Sequence, residues 1–263
     1  MKRFFSNAKL QERVLSDADF QEHIEENIKD NYDNLEPIDI DIDNHTYTFL
    51  ESGTLFSIFS NLLYLIAYPI LTILDKLLFN LKIKGRENIK AIKGAKITVS
   101  QHIQELDCTM VGLANRFQKT YFTALEDSFK IPVVGGIMRL LNAIPIPKDI
   151  KYTRTFMNGI DNLLKQGKTV HIYPEGSLVS YSEKIRPFKD GAFDFAVRNN
   201  VPIVPLTFKY EEPTGIRKHL KSHPFLSLYV LPAEYPDLTL SKSEAVKELK
   251  NRVYEKMNFR DVP

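Results

Sequence analysis

The sequence predicts an α/β protein in which a mostly parallel sheet is flanked by helices and preceded by an N-terminal membrane-associating helical segment. The first observation is an alternation, from residue 95 onward, of short Val/Ile-rich runs with longer amphipathic runs, which is typical of βαβ units. The second is a stretch of twenty uncharged residues that precedes this alternation. The third is size, because 263 residues with 43% hydrophobic and 26% charged side chains suffice for one large domain with a core and some additions.

Residues 1–50 are predicted to form an acidic N-terminal appendage of unassigned role. They carry five Lys or Arg against twelve Asp or Glu, a net charge of −7, which leaves +9 for residues 51–263. Apolar residues recur every four positions from Phe20 to Tyr32, which indicates one short amphipathic helix. Ile and Asp then alternate over 38–43, which indicates a half-exposed strand that could turn into a hairpin with His45–Leu50. A calcium loop fits this run poorly, because Asn44 and Leu50 replace the required Gly and Glu.

Residues 51–85 are predicted to be the membrane-associating segment. Leu55–Leu74 contains twenty residues without a charge, which is long enough to span a bilayer. However, polar residues lie near its start, Pro69 interrupts it late, and lysines are frequent after it. A helix or kinked helical pair that enters one leaflet, with the lysines at the head groups, is therefore an equal alternative. A buried core helix is the third alternative.

Residues 86–263 are predicted to form the α/β domain itself. The predicted strands are Lys96–Ser100, Thr120–Leu125, Thr169–Tyr173, Ile203–Phe208 and Leu226–Leu231. The predicted helices are Asp107–Arg116, Val133–Leu141, Tyr152–Lys165, Ala192–Arg198 and Ser241–Met257.

A histidine and an aspartate follow the first of these strands, in the order Ser-Gln-His102-Ile-Gln-Glu-Leu-Asp107. Five residues apart in a regular helix, the two side chains would point about 140° away from each other. If His102 lies in the loop and Asp107 in the first helical turns, the carboxylate can hold one imidazole nitrogen. The other nitrogen is then free to take a proton from an attacking hydroxyl. The alternative is a solvated loop histidine, since this spacing is common by chance.

A second polar motif, Tyr173-Pro-Glu-Gly-Ser177, ends the strand Thr169–Tyr173, where α/β sheets place their ligand sites. Glu175 and Ser177 could hydrogen-bond a polyol or its phosphate, and Gly176 would let the backbone approach it closely. Alone, this motif would be only a turn between a strand and a loop.

Taken together, the motifs resemble those of the glycerolipid acyltransferases that include 1-acylglycerol-3-phosphate O-acyltransferase. His102-x4-Asp107 resembles the catalytic block, and Tyr173–Ser177 resembles the Phe-Pro-Glu-Gly-Thr block. Three more similar blocks complete the set in the same order, and the resemblance covers about residues 55–235: Asn142-Ala-Ile-Pro-Ile-Pro-Lys148, Phe188-Lys-Asp-Gly-Ala192 and Val201-Pro-Ile-Val-Pro205.

The resemblance implies a role for each matching residue. His102 would be the general base and Asp107 would orient it, while Lys148, Glu175, Gly176 and Ser177 would position the glycerophosphate. Relatives often continue Glu-Gly-Thr-Arg, whereas this chain has Leu178, so Lys184, Arg186 or Lys189 would have to supply the missing charge. No cofactor or metal is implied. The acyl donor would be acyl-CoA or an acyl-carrier protein, and the acceptor a lysophospholipid, above all 1-acylglycerol-3-phosphate.

Other features limit the alternatives. The single cysteine, Cys108, excludes an internal disulfide and is interpreted as a packing residue, and His171 as a residue at the edge of the core. His219 and His223 have metal-ligand spacing but no carboxylate beside them. The basic body suits a phospholipid surface better than nucleic acid, given the absence of Trp and of any Arg-rich helix.

The expected location is a membrane-associated one on the cytoplasmic face. One cysteine and no apolar run after Lys2-Arg3 fit a reducing compartment better than a secretory route. A non-catalytic lipid-binding protein and an acyl-thioester hydrolase that uses His102 on water remain the alternative functions.

Overall fold

The computed structural model describes residues 47–50, 53–115, 118–182, 184–211 and 225–258. The helix expected at Phe20–Tyr32, the strand expected at 38–43 and the pair His219 and His223 lie outside these residues. Within 47–50 the backbone forms no strand.

A seven-stranded sheet organises the molecule, with the strand order β1-β7-β6-β2-β5-β3-β4. Every neighbouring pair is parallel except β6 and β7, which are antiparallel, so the expectation of a mostly parallel sheet is confirmed. The strands are β1 Lys82–Lys84, β2 Lys96–Ser100, β3 Thr120–Leu125, β4 Ala143–Ile146, β5 Thr169–Ile172, β6 Ile203–Glu211 and β7 Phe225–Val230.

Seven α-helices accompany these strands in the described residues. They are α1 Thr54–Phe79, α2 Arg86–Lys90, α3 Asp107–Ala114, α4 Val134–Leu140, α5 Thr153–Lys165, α6 Gly191–Asn199 and α7 Lys242–Asn258. Short 3₁₀ helices at Glu126–Lys130 and Ile150–Tyr152 follow β3 and β4. β1 lies inside the range 51–85, so the sheet begins before residue 86, where the sequence placed the start of the α/β domain.

Alternate side chains of the central strands fill two apolar layers, because successive residues of a strand point to opposite faces. Ile97 and Ile203 pack with Phe193 of α6 and Leu249 of α7 in one layer. The opposite layer contains Leu206 and Leu228 together with Met110 of α3, Phe79 of α1 and Ile89 of α2. The sheet is therefore covered on both faces, as a parallel sheet requires.

α1 continues through Pro69 as a single helix instead of the kinked pair that the sequence left open. By length and composition it could cross a membrane, and only 11% of its most apolar window is buried. That low burial contradicts the alternative of a core helix. The buried residues of α1 are instead Ser60, Asp75 and Phe79, and the two polar ones are hydrogen-bonded to the domain.

The last residues of the predicted N-terminal appendage, 47–50, pack on the outer edge of the domain. Tyr47 donates a hydrogen bond to the carbonyl of Pro145 in β4 at 2.6 Å, and its ring stacks on Tyr152. Phe49 lies against Gly159 of α5 so closely that an added Cβ there would be 2.5 Å from the ring.

Candidate active site

The site lies at the carboxyl edge of the two central parallel strands. β2 and β5 are adjacent, with Val99 opposite Ile172 in the register, so the loops that follow them leave the sheet side by side. The first loop carries His102 and the second carries Glu175. This is the edge at which open α/β sheets bind their ligands.

His102 and Asp107 form the pair that their spacing predicted. The imidazole Nδ1 of His102 is 3.1 Å from Oδ2 of Asp107, with the histidine in the loop and the aspartate at the first position of α3. The carboxylate accepts the Nδ1 proton, so Nε2 is the basic nitrogen. Nε2 forms no hydrogen bond within the described part of the chain, and a quarter of the side chain is exposed, at 25%. The imidazole can therefore receive a proton from a molecule that enters from solvent.

Asp107 is fully buried and is fixed by its own loop. Its Oδ2 also accepts the backbone N–H groups of Ile103 at 2.7 Å and Gln104 at 3.0 Å. Burial raises the pKa of Asp107, while the hydrogen bonds from His102 and from the two amides counteract that rise. These contacts leave the carboxylate a single orientation, with Oδ2 towards the imidazole.

Further hydrogen bonds hold the loop that carries His102. The side chain of Gln101 donates to Thr207 at 3.1 Å and accepts from the amide of Phe208 at 2.8 Å, which ties the loop to β6. The carbonyl of His102 accepts the amide of Val179 at 3.0 Å. The backbone around His102 is therefore fixed by β6 and by the loop that follows β5.

An aromatic ring supports the imidazole from beneath. Tyr173 stacks on His102, with ring centroids 4.0 Å apart and planes inclined by 15°. Tyr173 also contacts His171 edge-on, with ring centroids 4.5 Å apart. His171 is fully buried, with one ring nitrogen 2.9 Å from Thr98 Oγ1. Burial lowers the pKa of His171 to about 3, so this histidine stays neutral and is a core residue, deeper than the core edge expected for it.

Glu175 joins the two loops of the site. Its Oε2 accepts the amide of His102 at 3.2 Å and the guanidinium of Arg186 at 2.8 Å, and its Oε1 accepts the amide of Arg186 at 3.0 Å. Burial raises the pKa of Glu175 and the Arg186 charge opposes that effect. With 1% of its side chain exposed, Glu175 acts on His102 through the protein and presents no free oxygen to solvent.

Arg186 is engaged in the same network. Its guanidinium donates to the hydroxyl of Ser177 at 2.6 Å and to the Ser177 carbonyl, besides pairing with Glu175. Only 6% of its side chain is exposed. The sequence suggested that Arg186 could replace the positive charge missing at Leu178. In the structure its guanidinium contacts Glu175 and Ser177.

Lys189 lies over Gly176 at the open side of the site. Gly176 has a φ of 79°, and a Cβ added there would be 2.6 Å from Nζ of Lys189. The Lys189 amide also bonds the carbonyl of Pro174 at 2.8 Å. Gly176 and Lys189 are exposed and Ser177 is half-buried, so this is the part of the predicted substrate-binding set that a ligand can reach.

Lys148 and Lys184 lie further out. Lys148 follows β4, which is two strands from β5, or about 10 Å at the usual strand spacing. Its amide bonds Glu126 and its ammonium pairs with Asp127, with 64% of the side chain exposed. Lys184 is exposed in the loop before Arg186.

Cys108 follows Asp107 in α3, and the sequence predicted a packing role for it. Burial raises the pKa of Cys108 to about 11, which keeps the thiol protonated and unsuited to nucleophilic attack. Among the described residues, no group of three His, Cys, Asp or Glu side chains could hold a metal ion.

Three contacts of the site were not anticipated from the sequence. They are the stack of Tyr173 on His102, the tie from Gln101 to β6, and a hydrogen bond of 3.0 Å from Thr109 of α3 to the buried Asp75 of α1. Asp75 could have been noticed as an acid within an apolar helix. The other two depend on which strands are neighbours, which the sequence alone does not state.

The fold and the site define a class of proteins: α/β proteins with a mostly parallel sheet and a carboxylate-oriented histidine at its carboxyl edge. A model of the family described as Acyltransferase matches residues 80–209. The matched residues include the whole site from His102 to Lys189, so this part of the chain is an acyltransferase-family domain.

Individual relatives carry more specific names. The chain is 28% identical over 183 residues to a chloroplastic 1-acyl-sn-glycerol-3-phosphate acyltransferase of Brassica napus, covering 67% of this chain and 51% of that one. It is 30% identical over 132 residues to the 1-acyl-sn-glycerol-3-phosphate acyltransferase of Saccharomyces cerevisiae, covering 48% and 42%. The chain therefore spans about half the length of the curated relatives it matches.

A solved structure shares the fold. The crystal structure of the 1-acyl-sn-glycerophosphate acyltransferase PlsC from Thermotoga maritima matches with a TM-score of 0.52 and 19% identity. The match covers 80% of this chain and 96% of that one.

Proposed function

We propose that this protein transfers a fatty acyl group from a thioester to the hydroxyl of a lysophospholipid, with 1-acylglycerol-3-phosphate as the preferred acceptor. The observation that carries the proposal is the His102–Asp107 pair, in which Asp107 holds Nδ1 and leaves Nε2 exposed to an incoming hydroxyl. The relatives named above act on this acceptor by their descriptions, which favours the same acceptor here.

The reaction follows from this geometry. Nε2 of His102 takes the proton of the acceptor hydroxyl while the oxygen attacks the thioester carbonyl carbon. The tetrahedral intermediate then breaks its C–S bond, and the imidazolium of His102 gives its Nε2 proton to the departing sulfur, which restores the neutral base. Asp107 stabilises that imidazolium and keeps the correct tautomer. No acyl-enzyme forms, which agrees with the raised pKa of Cys108.

The acceptor phosphate is best placed beside Gly176 and Lys189. Lys189 is an exposed cation whose ammonium lies close to the backbone of Gly176, which has no side chain to displace it. Arg186, by contrast, is buried and already paired with Glu175. Leu178 cannot provide the positive charge that would bind the phosphate. We assign that role to Lys189 ahead of Arg186 and Lys184, with Lys148 as a more distant contributor.

The donor would approach from the aqueous side and the acceptor from a membrane. Acyl-CoA and acyl-carrier protein are both soluble thioesters, and neither requires a bound cofactor or metal for the transfer. The acceptor carries an acyl chain and lies in a lipid layer. The apolar helix α1, with most of its surface exposed, would bind that layer, and we place the protein on the cytoplasmic face.

The contacts of α1 favour a position in the plane of the membrane surface over a transverse one. Ser60 bonds the carbonyl of Leu140, and Asp75 bonds Thr109, fifteen residues further along the helix. These contacts are about 22 Å apart at 1.5 Å per residue. A transverse helix would bring that whole length of the domain into the hydrocarbon, including the ammonium of Lys119, which bonds Ser60 at 2.9 Å.

An assay of thiol release distinguishes the candidate functions. The full chain in mixed micelles is given an acyl thioester, with and without 1-acylglycerol-3-phosphate. Acceptor-dependent thiol release with formation of the diacyl product supports the proposal. Equal release without the acceptor would indicate a thioester hydrolase, and no release from either mixture would indicate a lipid-binding protein.

A further inference from the structure

A second set of exposed apolar side chains lies outside α1 in the sequence, at the carboxyl end of β3 and in the segments that follow β3 and β4. We name it the apolar rim and define it as Leu125, Ile131, Val133, Val134, Ile137 and Ile150. Val133 and Ile150 are 78% and 87% exposed. Leu125 is the last residue of β3, which is adjacent to β5, so the rim shares the sheet edge with His102.

The tip of the rim is a strained turn. Val133 has φ 67° and ψ −50°, and the amide of Val134 bonds the carbonyl of Pro132 at 2.7 Å, which together describe a γ-turn centred on Val133. A β-branched residue is rare in this conformation and glycine would adopt it more easily. The chain thus accepts backbone strain at a position where it presents an apolar side chain to the exterior.

The surroundings hold this turn in place. The amide of Gly135 bonds the carbonyl of Ile131 at 2.9 Å, and the amide of Ile137 bonds that of Val133 at 3.0 Å. Gly135 also packs directly on the 3₁₀ helix that precedes the turn, where an added Cβ would be 2.1 Å from the carbonyl oxygen of Phe129. These contacts therefore hold the Val133 turn in place while the Val133 side chain stays exposed.

We propose that the apolar rim is a second lipid-contacting surface, which inserts the Val133 turn and Ile150 into a phospholipid layer next to the entrance of the site. The rim is continuous with α1, since Ser60 and Tyr64 of α1 bond the carbonyls of Leu140 and Leu141 at 2.7 and 2.9 Å, immediately after the rim. Residues 125–154 also carry five basic against three acidic side chains, which suits an anionic head-group layer.

This inference rests on the proposed function, because it explains how an acceptor in a membrane would reach His102. With α1 as the sole contact, the domain could rotate about the helix and direct the sheet edge away from the lipid. A second contact on the same edge as His102 fixes that rotation. The acceptor then needs to move only from the layer to the adjacent sheet edge, two strand positions from β3 to β2.

The chain contains no tryptophan, which makes a site-specific test possible. Val133→Trp and Ile150→Trp each introduce a single tryptophan at the rim. Leu238→Trp is the matched control: Leu238 is 56% exposed and follows Glu234, which pairs with Ile203 at the amino end of β6, at the opposite edge. Each full-length variant is mixed with vesicles of phosphatidylcholine and phosphatidylglycerol, with or without brominated acyl chains, and vesicle binding is confirmed by flotation.

We expect both rim tryptophans to shift their emission to the blue on vesicle addition and to be quenched by brominated chains, and Leu238→Trp to show neither effect. If the rim tryptophans stay unquenched on protein that floats with the vesicles, the rim does not enter lipid. If the rim tryptophans already emit at shorter wavelength without vesicles, and the protein in detergent has the mass of two chains, the rim binds a second copy of this chain. Both outcomes overturn the proposal.

A second variant separates lipid contact from stability. Val133→Gly removes the apolar tip and relieves the unfavourable φ, so its melting temperature should equal or exceed that of the original protein. Its partition to vesicles should fall about tenfold, as expected for one lost aliphatic side chain. Unchanged partition would contradict the proposal. None of these readouts requires acyl transfer. A protein that shows no thiol release can therefore still show lipid contact by the rim, and a protein that transfers acyl groups can show none.

Discussion

His102 is held at its Nδ1, at one face of its ring and at its backbone amide, while its Nε2 is left open. Asp107 holds Nδ1, Tyr173 covers one face of the ring, and Glu175 holds the backbone amide. The sequence predicted the pair because its spacing fits a loop followed by a helix. It could not predict the stack or the Glu175 bond, since both depend on β2 and β5 being neighbours.

Replacement of His102 tests the base directly. His102→Ala should reduce the rate of acyl transfer about 10²–10⁴-fold while the protein stays folded and vesicle-bound. Asp107→Asn should also be severe, because an amide can hold the wrong tautomer. Kinetics with a saturating thioester and circular dichroism of the same samples provide the check. A variant that keeps more than about a tenth of the original rate would refute the base assignment.

The position of the acceptor phosphate is tested at Lys189. Lys189→Ala should lower kcat/KM for 1-acylglycerol-3-phosphate roughly 10–150-fold, corresponding to about 1.5–3 kcal/mol for a charge-assisted contact. The KM for the thioester should change little. Lys165→Ala is the control, an exposed lysine that precedes β5 and therefore lies at the opposite edge. Equal effects from both variants would place the phosphate elsewhere.

Arg186 and Glu175 illustrate a limit of inference from residue type. Both lie in motifs that suggest ligand contact, and the sequence accordingly assigned them to the acceptor. In the structure each satisfies the other within the protein, with 6% and 1% of their side chains exposed. Replacing one alone would leave a buried charge unpaired, so their variants report on folding as well as on catalysis.

His171 should make stability depend on pH. Its pKa falls from an ordinary value of 6.5 to about 3 on folding, so between these values the unfolded chain binds a proton that the folded protein does not. The free energy of unfolding should therefore be fully retained above pH 6.5 and fall by about 1.4 kcal/mol per pH unit below it. Urea unfolding from pH 7 to pH 5 measures the slope. His171→Gln, which can still bond Thr98, should flatten it, and an unchanged slope would contradict the prediction.

At the scale of elements, the sequence located most helices and strands to within two residues and missed the short helix α2 and the strands β1 and β4. β4 contains Pro145, which is unfavourable within a strand and is tolerated here because β4 is at the edge of the sheet. β1 has three residues, too few for a period-two pattern to be recognised. Both are edge strands, where partners on one side only are needed.

Two adjacent glycines of α4 allow a matched test of helix packing. Gly136→Ala should stabilise the protein by about 0.5–1 kcal/mol, because alanine favours helix and no atom lies within 4 Å of the added Cβ. Gly135→Ala should destabilise it, since the same atom would be 2.1 Å from the carbonyl oxygen of Phe129. Urea unfolding measures the free energy of unfolding of both variants. A stabilising effect of Gly135→Ala would show that α4 does not pack closely on the 3₁₀ helix at this position.

At the scale of the whole molecule, the proposed function attributes membrane binding to α1 and not to the acidic N-terminal residues, and this can be tested by deletion. Removal of residues 53–80 should release the protein from vesicles or cause it to aggregate. Removal of residues 1–46 should preserve binding, because that segment is acidic and Tyr47 and Phe49 remain to cover the domain. Flotation with anionic vesicles measures both. Loss of binding on removal of 1–46, with binding kept on removal of 53–80, would reverse the assignment.

The order of the strands has a consequence for how the chain is made. Among the described residues, β1 is the first strand to be synthesised and pairs with β7, the last, and Lys82 lies beside Ser227 in the register. At about 5–20 residues per second, residue 227 follows residue 82 from the ribosome by roughly 7–29 s. During that interval α1, which immediately precedes β1, has left the ribosome while the strand that anchors β1 does not yet exist. An apolar helix in this position would need a lipid surface or a chaperone before its own domain could receive it, so attachment to a membrane would precede completion of the fold.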